Sequence, residues 1–143
     1  MKIYFSCSIT GGRDDQPAYA QIVRYLAEQG HDIPTGYLAS PDLNQLEKSI
    51  EPEEVYQRDI SWVRSSDALI AEVSTPSHGV GYEIAEAVNH GKSVLCLYQK
   101  GARVSKIITG NTADNYYVRA YADSQEMQDH VTQFLLAVQK VFC

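Results

Sequence analysis

Ala68-Leu-Ile-Ala-Glu-Val73 is the segment on which the reading of the fold turns. Its nearly continuous apolar character is that of a strand covered on both faces, as strands of parallel sheets are. Downstream come the loop Thr75-Pro-Ser-His-Gly79, a helix from Val80 to His90 closed by Gly91, and a second buried strand, Ser93-Val-Leu-Cys-Leu-Tyr98. Strand, helix and strand in that order make a parallel crossover unit. Upstream, Pro52 opens a helix that runs to about Ser65.

The same alternation extends to both ends. Lys2 to Cys7 is short, apolar and aromatic and breaks at Thr10-Gly11-Gly12, as a first strand entering a glycine loop does. Asp14 or Asp15 can cap the next helix, with Pro17 in its first turn, Ala20, Val23, Leu26 and Ala27 at helical spacing, and Gly30 at its end. A weaker strand signal runs from His31 to Thr35, and residues 36–51 show no clean period and read as a long loop. A last strand at Tyr116 to Ala120 and an amphipathic helix from Ser124 to Val141 complete the pattern. The expectation is one α/β domain over residues 1–143: a doubly wound, Rossmann-like or flavodoxin-like, five-stranded parallel sheet with helices on both faces. Ligands in such sheets sit at the carboxyl ends of the strands, which directs attention to the loops after Cys7 and Val73.

Composition narrows the function. The 143 residues carry a net charge of −6, which disfavours a nucleic-acid polymer as partner, because phosphate backbones are held by clustered Lys and Arg. Cys7, Cys96 and Cys143 contain no C-x-x-C pair and suit a reducing cytoplasm better than a disulfide framework. The apolar run after Met1-Lys2 is too short for an export signal or a membrane span. His31, His78, His90 and His130 share no ligand spacing, so neither a metal nor a cofactor is expected.

Three places could carry chemistry. The loop Ser6-Cys-Ser-Ile-Thr-Gly-Gly-Arg13 lies between a strand and a helix, where backbone amides and the helix dipole can hold an anion; a tight turn requiring positive φ explains its glycines equally well. It matches neither G-x-G-x-x-G nor a Walker loop. In Ser77-His-Gly-Val-Gly-Tyr-Glu83, Ser77 and the amides near Gly79 could hold a second face of a phosphate. Glu83 stands at the edge of the helix's apolar face, either as a site carboxylate or as a residue favoured by the dipole. Asp59 falls within the stripe Val55, Trp62 and Val63, and is either a site carboxylate or one half of a salt bridge. Two carboxylates and an anion cradle at one sheet end suit glycoside chemistry. Glu72 and Glu86 read as solvated or capping residues, Asn115-Tyr-Tyr117 as edge-strand packing, and Trp62 as core.

On Ile3-Tyr-Phe-Ser-Cys-Ser-Ile-Thr-Gly-Gly-Arg13, Asp59-Ile-Ser-Trp62, Ala71-Glu-Val73, Pro76-Ser-His-Gly-Val-Gly-Tyr-Glu83, Val94-Leu-Cys-Leu97 and Arg103-Val-Ser105, the chain resembles the nucleoside 2-deoxyribosyltransferase superfamily over nearly its whole length. It is most similar to the 2′-deoxynucleoside 5′-monophosphate N-hydrolase branch. The resemblance implies that Glu83 is a nucleophile forming a glycosyl-enzyme intermediate, that Asp59 orients or protonates at base and sugar, and that Tyr4 hydrogen-bonds near the nucleophile. It further implies that Ser8, Gly11, Gly12, Ser77 and Gly79 hold a 5′-phosphate and that Ser105 reaches it from the neighbouring subunit of a homodimer with a shared site. The partner is then a small nucleotide or nucleoside. Thr10 stands where the branch tends to carry arginine, so Arg13 or Lys106 would supply the missing cation, or an unphosphorylated nucleoside would be the substrate, as in the transferases.

Two other classes compete. Cys7 and Arg13 have the C-x5-R spacing of a cysteine phosphatase, in which a thiolate attacks phosphorus, although Asp14 occupies the place of the expected hydroxyl residue. A non-catalytic nucleotide-binding module would share the loops without using Glu83.

Overall fold

A computed structural model describes residues 1–43 and 45–142. Cys143 and Asn44, the latter inside the expected 36–51 loop, lie outside the described residues. The first strand, β1 (Ile3–Ser6), is followed by α1 (Gln16–Glu28), a single 3-10 turn at Gly36–Ala39, α2 (Gln45–Ser49) and α3 (Pro52–Ser65). Then come β2 (Ala68–Glu72), α4 (His78–Asn89), β3 (Ser93–Gln99), the one-turn α5 (Lys106–Thr109), β4 (Tyr116–Tyr121) and α6 (Ser124–Phe142). The sheet is parallel with the order β1-β2-β3-β4.

Period-two alternation in the strands sends residues to two separate cores. Ile3, Phe5, Ile70, Leu95 and Leu97 pack with Tyr19, Ile22 and Leu26 of α1 and with Met127, Val131 and Phe134 of α6. Tyr4, Leu69, Ala71, Val94 and Cys96 pack on the other face with Val63 of α3 and Val80, Ile84 and Ala87 of α4. Helices therefore cover both faces, as the apolar strands required.

The sheet has four strands where the sequence reading expects five. Of the segment His31 to Thr35 only Asp32 pairs, through a single parallel bridge to Lys2. Pro34 has no N–H to donate and disfavours continuation of a ladder. The chain instead turns, with Gly36 N–H bonded to the Ile33 carbonyl. The buried Thr35 side chain replaces the missing strand: its hydroxyl accepts from Phe5 N–H at 3.0 Å and donates to the Phe5 carbonyl at 2.6 Å. One hydroxyl thus satisfies both edge groups of a central β1 residue.

Three further expectations are corrected. Residues 36–51 are not one loop but contain the 3-10 turn and α2. In α1 the buried residues are Tyr19, Ile22 and Leu26, so of the stripe read as Ala20, Val23, Leu26 and Ala27 only Leu26 is fully buried and the core stripe is centred one residue earlier. Asp15 occupies the N-cap position of α1 without capping it; its carboxylate accepts from Thr75 Oγ1 at 2.6 Å and Gln99 Nε2 at 2.9 Å.

Thr35→Val should lower stability by about 1–3 kcal/mol, since it strands a buried N–H and C=O together. Thr35→Ser should cost less, and urea denaturation of the three proteins checks the order.

Candidate active site

β1 presents Tyr4 and Ser6 to the α4 side of the sheet, because Ile3 and Phe5 fill the other core. Helix α4 is capped by the Ser77 hydroxyl, which accepts from Val80 N–H at 3.4 Å, and buries Val80, Ile84 and Ala87. That register turns Glu83, between Val80 and Ile84, onto the end of β1. Ser6 Oγ donates to Glu83 Oε2 at 2.8 Å, and the fully buried Tyr4 hydroxyl donates to the same carboxylate. Loss of water raises the Glu83 pKa from 4.5 to about 7; the two hydroxyls and Arg58 pull the other way, and Asp59 adds to the rise. Burial, reinforced by the Glu83 and Asp59 charges, also holds the Tyr4 hydroxyl far above its ordinary range. Tyr4 is therefore a donor and not a base.

Asp59 lies on α3 within electrostatic reach of Tyr4 and Glu83. The buried residues of α3 are Ile60 and Val63, and Asp59 sits half-buried beside them, where burial raises its pKa against the pull of Arg58. Arg58 Nε donates to Asp59 Oδ1 at 2.8 Å. The salt-bridge reading of Asp59 therefore holds, with the adjacent Arg58 as its partner. Trp62, read as core, is only half-buried and lies under the Arg58 guanidinium, 5.1 Å from carbon Cζ to the ring centre.

The two loops singled out in the sequence meet. A Cβ on Gly11 would stand 2.3 Å from the Pro76 carbonyl oxygen and 2.9 Å from Ser8 Oγ, so only glycine allows this approach. Gly12 follows at φ +131°, a conformation that favours glycine. The tight-turn reading of the glycine loop therefore holds at Gly12, and the close approach to Pro76 accounts for Gly11. Ser8 is fully buried and its Oγ finds no hydrogen-bond partner among the described residues. Thr10 is exposed at the loop tip. Gly79 leaves open the space beside Glu83 Oε1, which lies 3.8 Å from where its Cβ would be. Arg13 points away from this opening: it donates to the Ser8 carbonyl at 3.2 Å and the Ser40 carbonyl at 2.8 Å, with its guanidinium over Tyr19. Ser105 is exposed at the N-cap of α5 and shares with Ser77 a largely apolar pocket of about 290 Å³ that also touches Val80, Ile84 and Arg103.

Cys7 belongs to the core on the opposite face from Glu83, and burial pushes its thiol up to about 12 despite Arg13. A thiolate nucleophile has no support there. Glu72, read as solvated or capping, is fully buried and caps the loop after β2: it accepts from Ser74 N–H at 2.6 Å and from the Tyr121 hydroxyl at 3.1 Å. Glu86 instead pairs with Arg64 at 2.7 Å. Among the described residues no three His, Cys, Asp or Glu side chains gather as a metal would need. No helix of the described residues is long and apolar enough to cross a membrane.

Fold and site together define a parallel α/β protein with a water-poor carboxylate at the carboxyl ends of its first strands. The family model for nucleoside 2-deoxyribosyltransferase matches residues 3–133, and the chain belongs to that family. It is 41% identical over 137 residues to the protein named "Putative 2'-deoxynucleoside 5'-phosphate N-hydrolase 1" of Methanosarcina barkeri, covering 96% of this chain and 86% of that one. It is 37% identical to the 5-hydroxymethyl-dUMP N-hydrolase of Tetraodon nigroviridis, with 94% of each covered. The CMP N-glycosidase BcmB of Clostridium botulinum shares the fold at a TM-score of 0.71 and 17% identity, over 94% of this chain and 99% of that one. The family read from the loop motifs is thus the family found.

Between pH 4.5 and about 7, a carboxyl whose folded pKa is raised holds more proton folded than unfolded, so its contribution to stability falls as pH rises through that window. Glu83→Gln removes this penalty and should be more stable than the wild type at pH 8 than at pH 5, by up to about 3 kcal/mol in the difference. Urea midpoints at the two pH values decide it; parallel behaviour of the two proteins would show that Glu83 is not desolvated.

Proposed function

We propose that the protein hydrolyses the N-glycosidic bond of a deoxynucleoside or nucleoside 5′-monophosphate, giving free base and sugar 5-phosphate, with Glu83 as nucleophile. The observation that carries this reading is the Glu83 carboxylate, held by Ser6 and Tyr4 at the carboxyl end of β1 with one oxygen turned to the open space at Gly79. Oxygen of Glu83 attacks C1′ as the bond from C1′ to the base nitrogen breaks, and the base leaves with its electron pair, aided by Asp59 as proton donor or orienting group. Water then attacks C1′ and frees Glu83. Tyr4 and Ser6 aim the nucleophile and stabilise its charge.

On this reading Ser8, Gly11 and Gly12 from the first loop, with Ser77 and Gly79 at the start of α4, hold the phosphate through hydroxyls, backbone N–H groups and the helix dipole. Arg13 braces the first loop from behind, and Thr10 contributes a hydroxyl at its rim. The substrate class is supported by the names of the relatives at 37–41% identity. The protein is a homodimer in this reading: Tyr56 and Tyr82 stack edge to face on the exposed side of α3 and α4, Ile107 is 83% exposed beside Ser105, and a second copy covering them would bring its Ser105 to the phosphate. The buried thiols of Cys7 and Cys96 suit a cytoplasmic protein.

Incubation with 5-hydroxymethyl-dUMP, dUMP, CMP and their nucleosides, with and without a free acceptor base, separates the outcomes by chromatography. Free base with sugar phosphate supports the hydrolase, an exchanged nucleoside the transferase, and inorganic phosphate a phosphatase. Glu83→Gln should cost several orders of magnitude in kcat, as removal of a nucleophile does. Retention of more than about a tenth of kcat, worth only about 1.4 kcal/mol of barrier, would remove Glu83 from that role. Cys7→Ser should retain most of the activity.

Ser6→Ala removes a bond that lowers the Glu83 pKa, so the acid limb of the kcat profile should move to higher pH while the alkaline side keeps its height. A pH series on the two proteins checks the shift; an unmoved limb would mean that Ser6 does not set the ionisation of Glu83.

A further inference from the structure

Arg58 ties the 3-10 turn and α2 to Asp59 on α3. Its terminal nitrogens clamp the Glu47 carboxylate of α2 in a two-pronged pair, Nη1 to Oε2 at 3.0 Å and Nη2 to Oε1 at 2.6 Å. Its Nε donates to Asp59 at 2.8 Å. The flat guanidinium lies against the rings of Trp62 on α3 and Tyr37 on the 3-10 turn, at 5.1 and 5.8 Å, and the two rings meet each other edge to face at 6.5 Å. Tyr37 closes the circle by donating to Glu47 at 3.3 Å. Side-chain exposure is 21% for Arg58, 12% for Glu47 and 14% for Asp59, so the ion pairs are partly sheltered and held in one geometry.

We propose that Arg58 is a positioning residue for the reaction: by holding one oxygen of Asp59 with Nε and the Glu47 carboxylate with its other arm, one guanidinium fixes the site carboxylate and the Tyr37 wall in a single closed arrangement. The proposal rests on the reading of Glu83 and Asp59 given above. The bond to Oδ1 holds the Asp59 carboxylate in one orientation. A rigid fork suits this task in a way that an ammonium does not, because a lysine cannot make the paired bonds and the Nε bond together. The charges facing Asp59 are Arg58 beside it, Glu47 from α2, Tyr37 from the 3-10 turn, Tyr4 from β1 and Glu83 from α4. Of these only Arg58 is cationic. Without it the Asp59 proton is held more tightly, so the limb of the rate profile that belongs to Asp59 moves to higher pH whether the working form is acid or base.

The test is a double-mutant cycle on the full chain with 5-hydroxymethyl-dUMP, using Arg58→Gln, Asp59→Asn and the double variant, with circular dichroism and urea denaturation as fold controls. Arg58→Gln should lower kcat roughly tenfold to a hundredfold, less than the hundredfold to ten-thousandfold that loss of an acid–base group itself costs, because Asp59 remains. In the Asp59→Asn background the same change should cost less than about threefold, because partners acting through one another do not add. Arg58→Lys, which keeps the charge, should leave the pH limb nearly in place while raising KM through loss of the Glu47 clamp. Losses that multiply, or an Arg58→Gln profile whose limbs do not move, would overturn the proposal. Glu83→Gln run alongside separates the two failures: activity kept there sinks the nucleophile reading, whereas activity lost there with an additive Arg58 cycle sinks only the positioning role.

Discussion

A carboxylate kept from water beside two hydroxyls of one strand is the constraint to which the rest of the molecule answers. Glu83 can be held this way only if Tyr4 and Ser6 point to the same face, and they do so because the pleat sends Ile3 and Phe5 to the other. That face must be covered by a helix whose register brings a glutamate over the strand end, and Val80, Ile84 and Ala87 fix the register of α4. A shift of one residue in β1 would move both hydroxyls into the opposite core. Thr35 guards against it by occupying the Phe5 N–H and C=O where no neighbouring strand does.

The second face solves a different problem with similar residues. Glu72 is as deeply buried as any group in the sheet, yet its oxygens are taken by Ser74 N–H and Tyr121. Asp15 is taken by Thr75 and Gln99, and Ser74 Oγ accepts from Gln99 N–H. These bonds converge on residues 74 and 75, just before the Pro76 carbonyl that meets Gly11. The contrast with Glu83 is instructive, since a carboxylate with fixed partners on both oxygens braces a loop, whereas Glu83 keeps an oxygen beside the open face of Gly79. Burial alone does not separate these two carboxylates; what their oxygens face does.

Much of this was legible in the residues. The strand signals located all four strands and one too many, the glycine loop and the Ser77-to-Glu83 block pointed to the crevice, and the family resemblance, not any local pattern, put Tyr4 beside Glu83. What stayed hidden depended on partners distant in sequence. Glu72 reads as a polar strand end because the tyrosine that satisfies it comes 49 residues later. Arg58 and Glu47 are 11 residues apart, one of them in a stretch with no period. His31 to Thr35 reads as a strand because its composition fits one, but Pro34 breaks the ladder and a side chain takes over the pairing, which no hydrophobic pattern records. Asp15 has the position of a helix cap and forgoes it for Thr75 and Gln99.

The charge distribution explains why the phosphate, on the proposed reading, belongs at the glycine loops and not beside the carboxylates. Asp59 lies within electrostatic reach of both Glu83 and Glu47, with Arg58 as the nearby cation, and a phosphate brought among them would add like charge in a poorly hydrated space. Along α4 the distance from Gly79 to Glu83 is four residues, about 6 Å at the usual helical rise. At that separation two unit charges repel by about 3 kcal/mol at an effective dielectric constant near 20. Free N–H groups and the positive end of the helix dipole at the first turn offset this for the phosphate, but for Glu83, one turn further in, they do so weakly. A bound phosphate therefore favours the protonated form of Glu83 still more, which leaves Ser6, Tyr4 and Arg58 as the groups that must keep an ionised nucleophile within reach near neutral pH.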